Sequence, residues 1–571
     1  MAQGKDRLTP LADTSKINMS RLFVARGADV DLVGSFKPRI AAIIMAIGAA
    51  AIVLAARAAD LAILNSVPVE TAALVLDADP VVRANIVDRN GVLLAANIET
   101  WNIYIDRVDV GDVDELVKRL SVLDSMPAPE ILKQRLLGRS GWAGIARSVI
   151  PKQRRELFDL AEPGMKFESQ IKRVYPNGRL ASHLLGWVDA DGFGTSGVER
   201  AFNVRLREGK EELKLSLDSR VQFTLEEELQ KAVVLHKPLA AIGLVTHIPT
   251  GEVLALASWP DFDPNHFSTT TPDHRRNRAL IDPYELGSVF KPLTMAMALE
   301  SGIKMDQINI DVKQKLVIAG REIKDFHPGP SPMNATDILV HSSNKGAARL
   351  ALRTGAKTQQ EYLHRFGLLA PAQIELRGSA NAYMVSNNWS DIKTATIGFG
   401  HGLSVSPLSF VSALSGVVNN GLQVPLTVLP ADNDNLVTKY VVSPETSRLV
   451  RTAMRRVVVE GSGKKADVPG YGVAGKTGSA EKWDARLSAY AKDRNVSSFV
   501  AVFPWEAPQY MVFVLLDEPQ GGITTFGWET AGWNAAPAVH NIIERIGPLL
   551  DAPYSRPDQV AKSELSAQVG E

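Results

Sequence analysis

The sequence predicts an α/β (α+β) fold in which one sheet is covered by helices on each face. Two hairpin patterns, at 240–257 and 498–516, flank a long stretch that is mostly helical in pattern. Strands from both ends of one segment, with helices between them, favour a single sheet closed by its own termini. A shorter α+β region precedes this segment, and an apolar run at 40–56 predicts one transmembrane helix.

Composition excludes several classes of function. The chain has 571 residues, enough for two or three domains and a substantial core. Lys and Arg number 63, equal to Asp and Glu at 63, so the overall charge does not indicate a nucleic-acid partner. The absence of cysteine excludes disulfides, thiolate zinc sites and cysteine nucleophiles. The histidines are scattered without metal-ligand spacing, so we expect neither a metal nor another cofactor.

The run Ile40–Ala56 has 17 residues without a charged or polar side chain, just enough to span a bilayer. Residues 1–39 carry seven Lys or Arg, whereas residues 58–82 carry none, so the positive-inside rule places the N-terminus in the cytoplasm. We expect a cytoplasmic tail at 1–36, an anchor at 37–58, and everything beyond it outside the cytoplasm. A cleaved signal peptide and a buried core helix are the alternatives. The long polar segment and the charge asymmetry argue against both.

The region at 65–210 is expected to be an α+β pedestal domain. Within it, Asn90-Gly91 separates two apolar runs, which is the strongest short-range signal for a hairpin. Further turns are predicted at 173–178 and 194–199.

A larger domain is expected at 211–550. Its first helix should begin near Asp218, where Ser219 and Gln222 have capping-box spacing. Polar composition predicts that the last residues, 551–571, form a disordered tail. The main helices predicted between the two hairpins are at 288–301, 336–353 and 407–420.

One helical turn brings a candidate nucleophile and a candidate base together. Ser288 and Lys291 are three residues apart, so they share a helix face and the amine can reach the hydroxyl. Pro292 indicates a helix start, because proline lacks an N–H and is tolerated only in the first turn. Free N–H groups there favour negative charge on a reacting oxygen. The pair alone is weak evidence, because this spacing often arises by chance.

Two more segments strengthen the case, and with them the chain resembles a known family. Ser342 and Asn344 offer a hydroxyl and an amide two residues apart, and Gly475–Ser479 offers a cation and hydroxyls bracketed by glycines. The penicillin-binding proteins and serine β-lactamases carry S-x-x-K, S-x-N and K-T-G in that order. This chain is similar to them at Ser288/Lys291, Ser342/Asn344 and Lys476/Thr477/Gly478.

The resemblance covers about residues 65–545. It includes a non-catalytic pedestal like the dimerisation-type domain of class B penicillin-binding proteins, followed by a transpeptidase domain. One departure is Ser479, because a threonine usually follows K-T-G, and serine keeps the hydroxyl. The segments that carry the wider likeness are at 83–95, 175–186, 197–199, 263–265, 277–279, 400–407 and 517–519.

The resemblance implies that Ser288 is the nucleophile and Lys291 its base. A lysine can serve as base only if its pKa falls from about 10.4 towards neutrality, through burial or a nearby cation. Lys476 is the expected cation. With Thr477 and Ser479 it is also expected to bind the terminal carboxylate of a D-alanyl-D-alanine peptide.

The same resemblance implies roles for the remaining motif residues. Ser342 should relay a proton to the leaving D-alanine, and Asn344 should hold Lys291 and the substrate amide. The backbone N–H groups of Ser288 and Ser479 would form the oxyanion hole. Gly478 is counted with the substrate-binding residues.

The segment Gly470–Thr477 has a second interpretation, since it fits the phosphate-binding pattern G-x-x-x-x-G-K-[ST]. A P-loop must follow a buried strand and open a helix, yet Pro469 precedes this segment and Gly478 follows it. The expected location outside the cytoplasm, where ATP is scarce, also argues against an NTPase. Gly398–Gly402 is not a dinucleotide fingerprint, since no βαβ pattern surrounds it.

Taken together, the resemblance implies a single-pass inner-membrane enzyme with a periplasmic catalytic domain that cross-links peptidoglycan stem peptides. β-Lactams would acylate the same serine. The length, the compact pedestal and the lead-in Tyr284–Ser288 favour the septal, cell-division enzyme, with the elongation enzyme as the alternative. No region resembles a glycosyltransferase, so a separate membrane-embedded glycosyltransferase and other division proteins are the implied partners.

Two alternatives from other classes remain open at this point. A D,D-carboxypeptidase or β-lactamase-like hydrolase would share the acylation residues and add a group that activates water. A non-catalytic, membrane-anchored scaffold would keep the fold, and the three motifs would then be incidental.

Overall fold

The computed structural model describes residues 45, 47–54, 82–123, 126–138, 141–384, 389–484 and 489–555. The tail expected at 1–36 lies outside them. Of the anchor expected at 37–58, only residue 45 and residues 47–54 are described, and they are helical and exposed. Among all the residues that the structure describes, no helix combines the length and the apolar character needed to cross a membrane. The folded regions that follow lie in one unit, Pro80–Glu571.

The first region of this unit is the expected α+β pedestal. Its strands are β1 (Ile86–Val87), β2 (Leu93–Asp106), β3 (Trp142–Val149), β4 (Met165–Val174) and β5 (Leu213–Lys214), ordered β3-β2-β1-β5 with β4 also paired to β2. Its helices are α1 (Val113–Leu120), α2 (Pro129–Leu136), α3 (Pro151–Phe158), α4 (Ser182–Leu185), α5 (Gly197–Ala201) and α6 (Asn203–Glu208).

The hairpin predicted around Asn90 is confirmed. Strands β1 and β2 pair antiparallel, with Ile86 opposite Ala95. Asp88 closes the turn, because its carboxylate accepts the backbone N–H groups of Asn90 and Val92, each at 2.8 Å.

The second region contains a five-stranded antiparallel sheet made of β6 (Ala240–His247), β7 (Val253–Trp259), β12 (Ala474–Asp484), β13 (Ala489–Phe503) and β14 (Tyr510–Asp517). The strand order is β12-β13-β14-β6-β7. Strand β14, near the end of the chain, pairs with β6, near the start of the region, with Asp517 opposite Ala240. The predicted closure of the sheet by its own termini is therefore confirmed. Short two-stranded ribbons outside this sheet are formed by β8 (Leu316–Ile318) with β9 (Arg321–Ile323) and by β10 (Leu422–Gln423) with β11 (Lys439–Tyr440).

Helices cover both faces of this sheet. Side chains alternate along β14: Phe513 packs into one core with Met295 and Phe410, and Val514 packs into the other with Ile542. Both faces of the strand are thus buried, as its continuous apolar run requires. The helices of this region are α7 (Ser219–His236), α8 (Arg278–Ile281), α9 (Lys291–Glu300), α10 (Ala335–Val340), α11 (Asn344–Thr354), α12 (Ala356–Arg365), α13 (Asp391–Ile397), α14 (Pro407–Val418), α15 (Pro444–Val459) and α16 (Ala535–Leu549).

Two helix predictions need correction. The single helix predicted at 336–353 is two helices, α10 and α11, because Ser342 between them has a left-handed backbone with φ of 54°. Helix α7 begins where expected, but its cap is Asp218, whose carboxylate accepts the N–H of Arg220, and not Ser219. Helix α14 matches its prediction, with Ser406 capping its N-terminus.

The C-terminal tail expected from residue 551 does not include its first five residues. Tyr554 stacks on Tyr471 with ring centroids 5.0 Å apart. The N–H of Ser555 donates to the carbonyl of Gly470 at 2.7 Å. Residues 556–571 lie outside the described part of the chain.

Candidate active site

Ser288 lies in a short 310-helix, Gly287–Phe290, that runs directly into α9. Pro292 is the second residue of α9, as its missing N–H led us to expect. Gly287 has φ of 61°, and a Cβ there would lie 2.8 Å from the carbonyl oxygen of Ser479. The turn that presents Ser288 can therefore pack against strand β12 only because it contains a glycine.

Lys291 occupies the centre of the site and is 1% exposed. Its Nζ lies 2.9 Å from Ser288 Oγ and 2.9 Å from Asn344 Oδ1. The same nitrogen lies 2.6 Å from the carbonyl oxygen of Ser342 and 3.2 Å from Ser342 Oγ. Side chains from the first two motifs thus meet at one amine.

The break between α10 and α11 orients Ser342 towards the amine of Lys291. The left-handed backbone of Ser342 costs about 1–2 kcal/mol for a residue with a Cβ. It directs both the carbonyl and the hydroxyl of Ser342 towards Lys291. Asn344, the first residue of α11, is held through both atoms of its amide group. Its Oδ1 accepts from Lys291 Nζ, and its Nδ2 donates to the carbonyl of Lys324 at 3.2 Å.

Lys476 lies on β12, at the edge of the sheet, and is fully buried. Its Nζ donates to Ser342 Oγ at 3.0 Å and to the hydroxyl of Thr477 at 3.2 Å. Ser342 Oγ therefore connects the two lysines, with 3.2 Å to Lys291 on its other side.

The strand also places Gly478 and Ser479. A Cβ on Gly478 would lie 2.6 Å from the carbonyl oxygen of Leu286 and 2.5 Å from Ser498 Oγ. The glycine therefore lets β12 lie close to Gly287–Phe290, the segment that we call the serine turn. Ser479 is exposed, and its hydroxyl accepts the N–H of Ala531 at 3.4 Å. It lies beside the hydrogen-bonded network of the two lysines, not within it.

The electrostatics of the site favour the neutral amine of Lys291. Burial, followed by the charge of Lys476, holds the pKa of Lys291 well below its usual range. Burial lowers the pKa of Lys476 to about 7. Asp325 opposes the shift by raising the pKa of Lys291, but the lowering contributions are larger. The lowered pKa favours the neutral form of Lys291, which can accept a proton.

Three neighbours of the site were missed by sequence reasoning. Asp325 accepts from Ser343 Oγ at 3.0 Å and from the N–H of Lys345 at 2.9 Å, which fixes the start of α11. Burial and the charge of Lys291 lower the pKa of His401 to about 4. Ser462 lies 2.7 Å from the hydroxyl of Thr477. None of these residues belongs to one of the three motifs, and they meet the motif residues only in the folded chain, so no spacing pattern could have identified them as neighbours of the site.

The P-loop alternative is wrong. Residues Ala474–Asp484 form strand β12, so the glycines and Lys476 do not open a helix. No helix N-terminus is present at Thr477 to hold a phosphate, as the P-loop requires.

Two protein families and several known proteins are similar to this chain. Residues 241–544 match the penicillin binding protein transpeptidase domain, and residues 78–233 match the penicillin-binding protein dimerisation domain. The probable peptidoglycan D,D-transpeptidase FtsI of Caulobacter vibrioides is 40% identical over 482 residues, covering 82% of this chain and 81% of that protein. Peptidoglycan D,D-transpeptidase FtsI of Escherichia coli is 30% identical over 480 residues, covering 77% and 80%.

Solved structures show the same architecture. Penicillin binding protein 3 of Mycobacterium tuberculosis, in complex with ampicillin, matches with a TM-score of 0.67 and 25% identity. The match covers 84% of this chain and 98% of that one. With its transpeptidase domain, its dimerisation domain and its FtsI relatives, the chain belongs to the class B penicillin-binding proteins.

Proposed function

We propose that this protein is a peptidoglycan D,D-transpeptidase that works through an acyl-enzyme on Ser288. The observation that carries the proposal is the 2.9 Å contact between Lys291 Nζ and Ser288 Oγ in a site that depresses the pKa of the lysine. A serine hydroxyl becomes an effective nucleophile when an adjacent base takes its proton.

In the first step, Ser288 Oγ attacks the carbonyl carbon of the penultimate D-alanine and its proton passes to Lys291. The bond to the terminal D-alanine then breaks. Its nitrogen takes a proton through Ser342 Oγ, which lies between the two lysines. In the second step, an amine of a neighbouring stem peptide attacks the ester and releases Ser288. The attacking amine loses one proton to the lysine and serine groups of the site, and Ser288 Oγ takes up one proton as it leaves.

Substrate binding is assigned to β12. Lys476 and the hydroxyls of Thr477 and Ser479 would hold the terminal carboxylate, and Gly478 allows the strand to lie beside the serine turn. The backbone N–H groups of Ser288 and Ser479 would stabilise the oxyanion, a contribution of about 3 kcal/mol per donor. Asn344 would position Lys291 and the substrate amide. A β-lactam would acylate Ser288 in the same way, but its ring-opened amine stays attached.

The proposed setting is the division septum. Relatives named FtsI support it, and the elongation enzyme is the competing role. The partners would be a membrane-embedded glycosyltransferase and other division proteins, because no region of the sequence resembles a glycosyltransferase. Depletion of the protein tests the setting: filamentous cells would support a septal role, and round cells would support elongation.

The finer arrangement of the chain also remains our proposal. A cytoplasmic tail at 1–36 and a membrane anchor at 37–58 would precede a periplasmic pedestal at 65–210 and a transpeptidase domain at 211–550. The apolar run Ile40–Ala56 and its flanking charge asymmetry support the membrane placement.

Mass spectrometry after labelling with a fluorescent penicillin tests the acyl-enzyme. Trypsin does not cleave before proline, so the labelled peptide should span residues 279–304 and carry the adduct on Ser288. Ser288→Ala should abolish labelling, whereas Ser268→Ala, at an exposed serine of another 310-helix, should leave it unchanged. An adduct elsewhere, or labelling of Ser288→Ala, would contradict the proposal.

A further inference from the structure

The hydroxyl of Ser462 contacts the carboxylate-binding strand without belonging to any of the three motifs. Its Oγ lies 2.7 Å from Thr477 Oγ1, and either atom can be the donor. Thr477 is 7% exposed, so few groups can reach its hydroxyl, whereas Ser462 opens to solvent. The polarity of this one hydrogen bond therefore decides what Thr477 can offer to a ligand.

The turn that carries Ser462 is held in place from several sides. The N–H groups of Gly461 and Gly463 donate to the carbonyl of Val457 at 3.0 and 3.1 Å. A Cβ on Gly461 would lie 2.7 Å from the carbonyl oxygen of Val340, at the end of α10 just before Ser342. A Cβ on Gly532 would lie 2.9 Å from the carbonyl oxygen of Ser462. Close backbone packing thus fixes the hydroxyl next to Thr477.

A count of donors and acceptors sets the direction of the bond when an anion is bound. A hydroxyl donates one proton and accepts two. Thr477 Oγ1 already accepts from Lys476 Nζ at 3.2 Å. If Ser462 donates to it as well, both lone pairs of Thr477 are used and its proton is free for a carboxylate oxygen. If Ser462 accepts instead, the Thr477 hydroxyl proton is used in the hydrogen bond to Ser462 and is not available to the carboxylate.

We propose that Ser462 is a positioning residue that donates to Thr477 and so directs the Thr477 proton towards the carboxylate of the substrate. The inference rests on the proposed function, in which Thr477 binds that carboxylate. Ser462 acts on substrate recognition through Thr477. Its contribution is therefore specific for ligands that carry a free carboxylate, because the strength of a hydrogen bond rises when its acceptor is ionised.

The test measures the second-order rate constant of acylation of the full-length protein by benzylpenicillin and by its methyl ester, which lacks the negative charge. Ser462→Thr keeps the hydroxyl, and Ser462→Val has the shape of threonine without it. We expect Ser462→Ala and Ser462→Val to react with benzylpenicillin about tenfold more slowly, equivalent to about 1.4 kcal/mol. With the ester they should react at the wild-type rate, and Ser462→Thr should match wild type with both.

Wild-type acylation of Ser462→Val by benzylpenicillin would overturn the inference. An equal loss with the acid and the ester would also overturn it, because a merely structural effect does not depend on the carboxylate. The wild-type protein supplies the separate test of the proposed function. If it reacts equally fast with the acid and the ester, the carboxylate site on β12 is itself wrong.

Discussion

At the scale of single residues, the proposed chemistry depends on the protonation state of Lys291. Four oxygen atoms lie within hydrogen-bonding distance of its Nζ. A neutral amine can donate to Asn344 Oδ1 and to the carbonyl of Ser342 while it accepts the proton of Ser288. This state lowers stability at neutral pH, because the unfolded chain would bind the proton. The loss diminishes as pH rises towards the ordinary lysine pKa of about 10.4.

Lys291→Arg should abolish acylation, because a guanidinium group cannot give up its proton. Loss of a general base lowers a rate by about 10²- to 10⁴-fold. The measurement is the rate of labelling by a fluorescent penicillin, with circular dichroism as the control for folding. Rapid acylation of the folded variant would show that another group is the base.

Lys476→Met should shift the pH dependence of acylation. The charge of Lys476 lowers the pKa of Lys291, so its removal raises that pKa. Acylation needs the neutral amine of Lys291. The pH at which the acylation rate rises should therefore be higher in this variant than in the wild type. A pH–rate profile with a penicillin methyl ester measures this without the carboxylate contact. If the pH dependence of the acylation rate is the same in the variant and the wild type, burial alone sets the pKa of Lys291.

At the scale of elements, the site depends on how closely backbone segments approach each other. The serine turn lies against β12 on one side and against Gly400 on the other, whose carbonyl accepts the N–H of Gly287 at 3.1 Å. A Cβ on Gly400 would lie 2.1 Å from the carbonyl oxygen of Gly287. Glycines at these contacts bring three segments together around Ser288.

Gly478→Ala should separate β12 from the serine turn. The added Cβ would meet the backbone of Leu286 at 2.6 Å, and backbone cannot move aside as a flexible side chain can. We expect a loss of about 1–3 kcal/mol in stability, together with slower acylation. Thermal unfolding and penicillin labelling measure the two effects. Gly111→Ala, where no atom lies within 4 Å of the added Cβ, is the control and should change neither.

At the scale of the whole molecule, the pedestal is held by a buried ion cluster. Glu199 is fully buried and accepts from Arg83 Nε at 3.0 Å and from Arg173 Nε at 2.7 Å. Tyr175 also points its hydroxyl at this carboxylate, at 3.4 Å. The burial of the Tyr175 hydroxyl, followed by the charge of Glu199, raises the pKa of Tyr175. The cluster connects residues that lie up to 116 positions apart in the sequence.

Glu199→Ala should destabilise the pedestal by about 3–5 kcal/mol, because two buried guanidinium groups lose their counter-charge. The midpoint of urea unfolding measures the effect. Glu445→Ala breaks an exposed pair with Arg448 and should change stability by less than about 1 kcal/mol. An equally small effect for both variants would mean that solvent or neighbouring groups compensate the arginines.

The sequence alone determined the features that depend on local patterns. Asn90-Gly91 specified a hairpin, Pro292 a helix start, and the apolar runs of β6 and β14 a doubly covered sheet, because turn, cap and periodicity rules act over a few residues. The three motifs and their order indicated the family. Sequence also indicated Ser288 and Lys291 as a pair, since residues three apart on a helix are neighbours.

The tertiary structure alone decided what depends on distant segments. The pKa of Lys291 depends on Lys476, 185 residues away in the chain, and on burial that no local pattern reveals. The left-handed backbone at Ser342 divided a stretch whose helical pattern continues across it. Asp325 and Ser462 joined the site through packing, because the segments that carry them meet the motifs only in the folded chain.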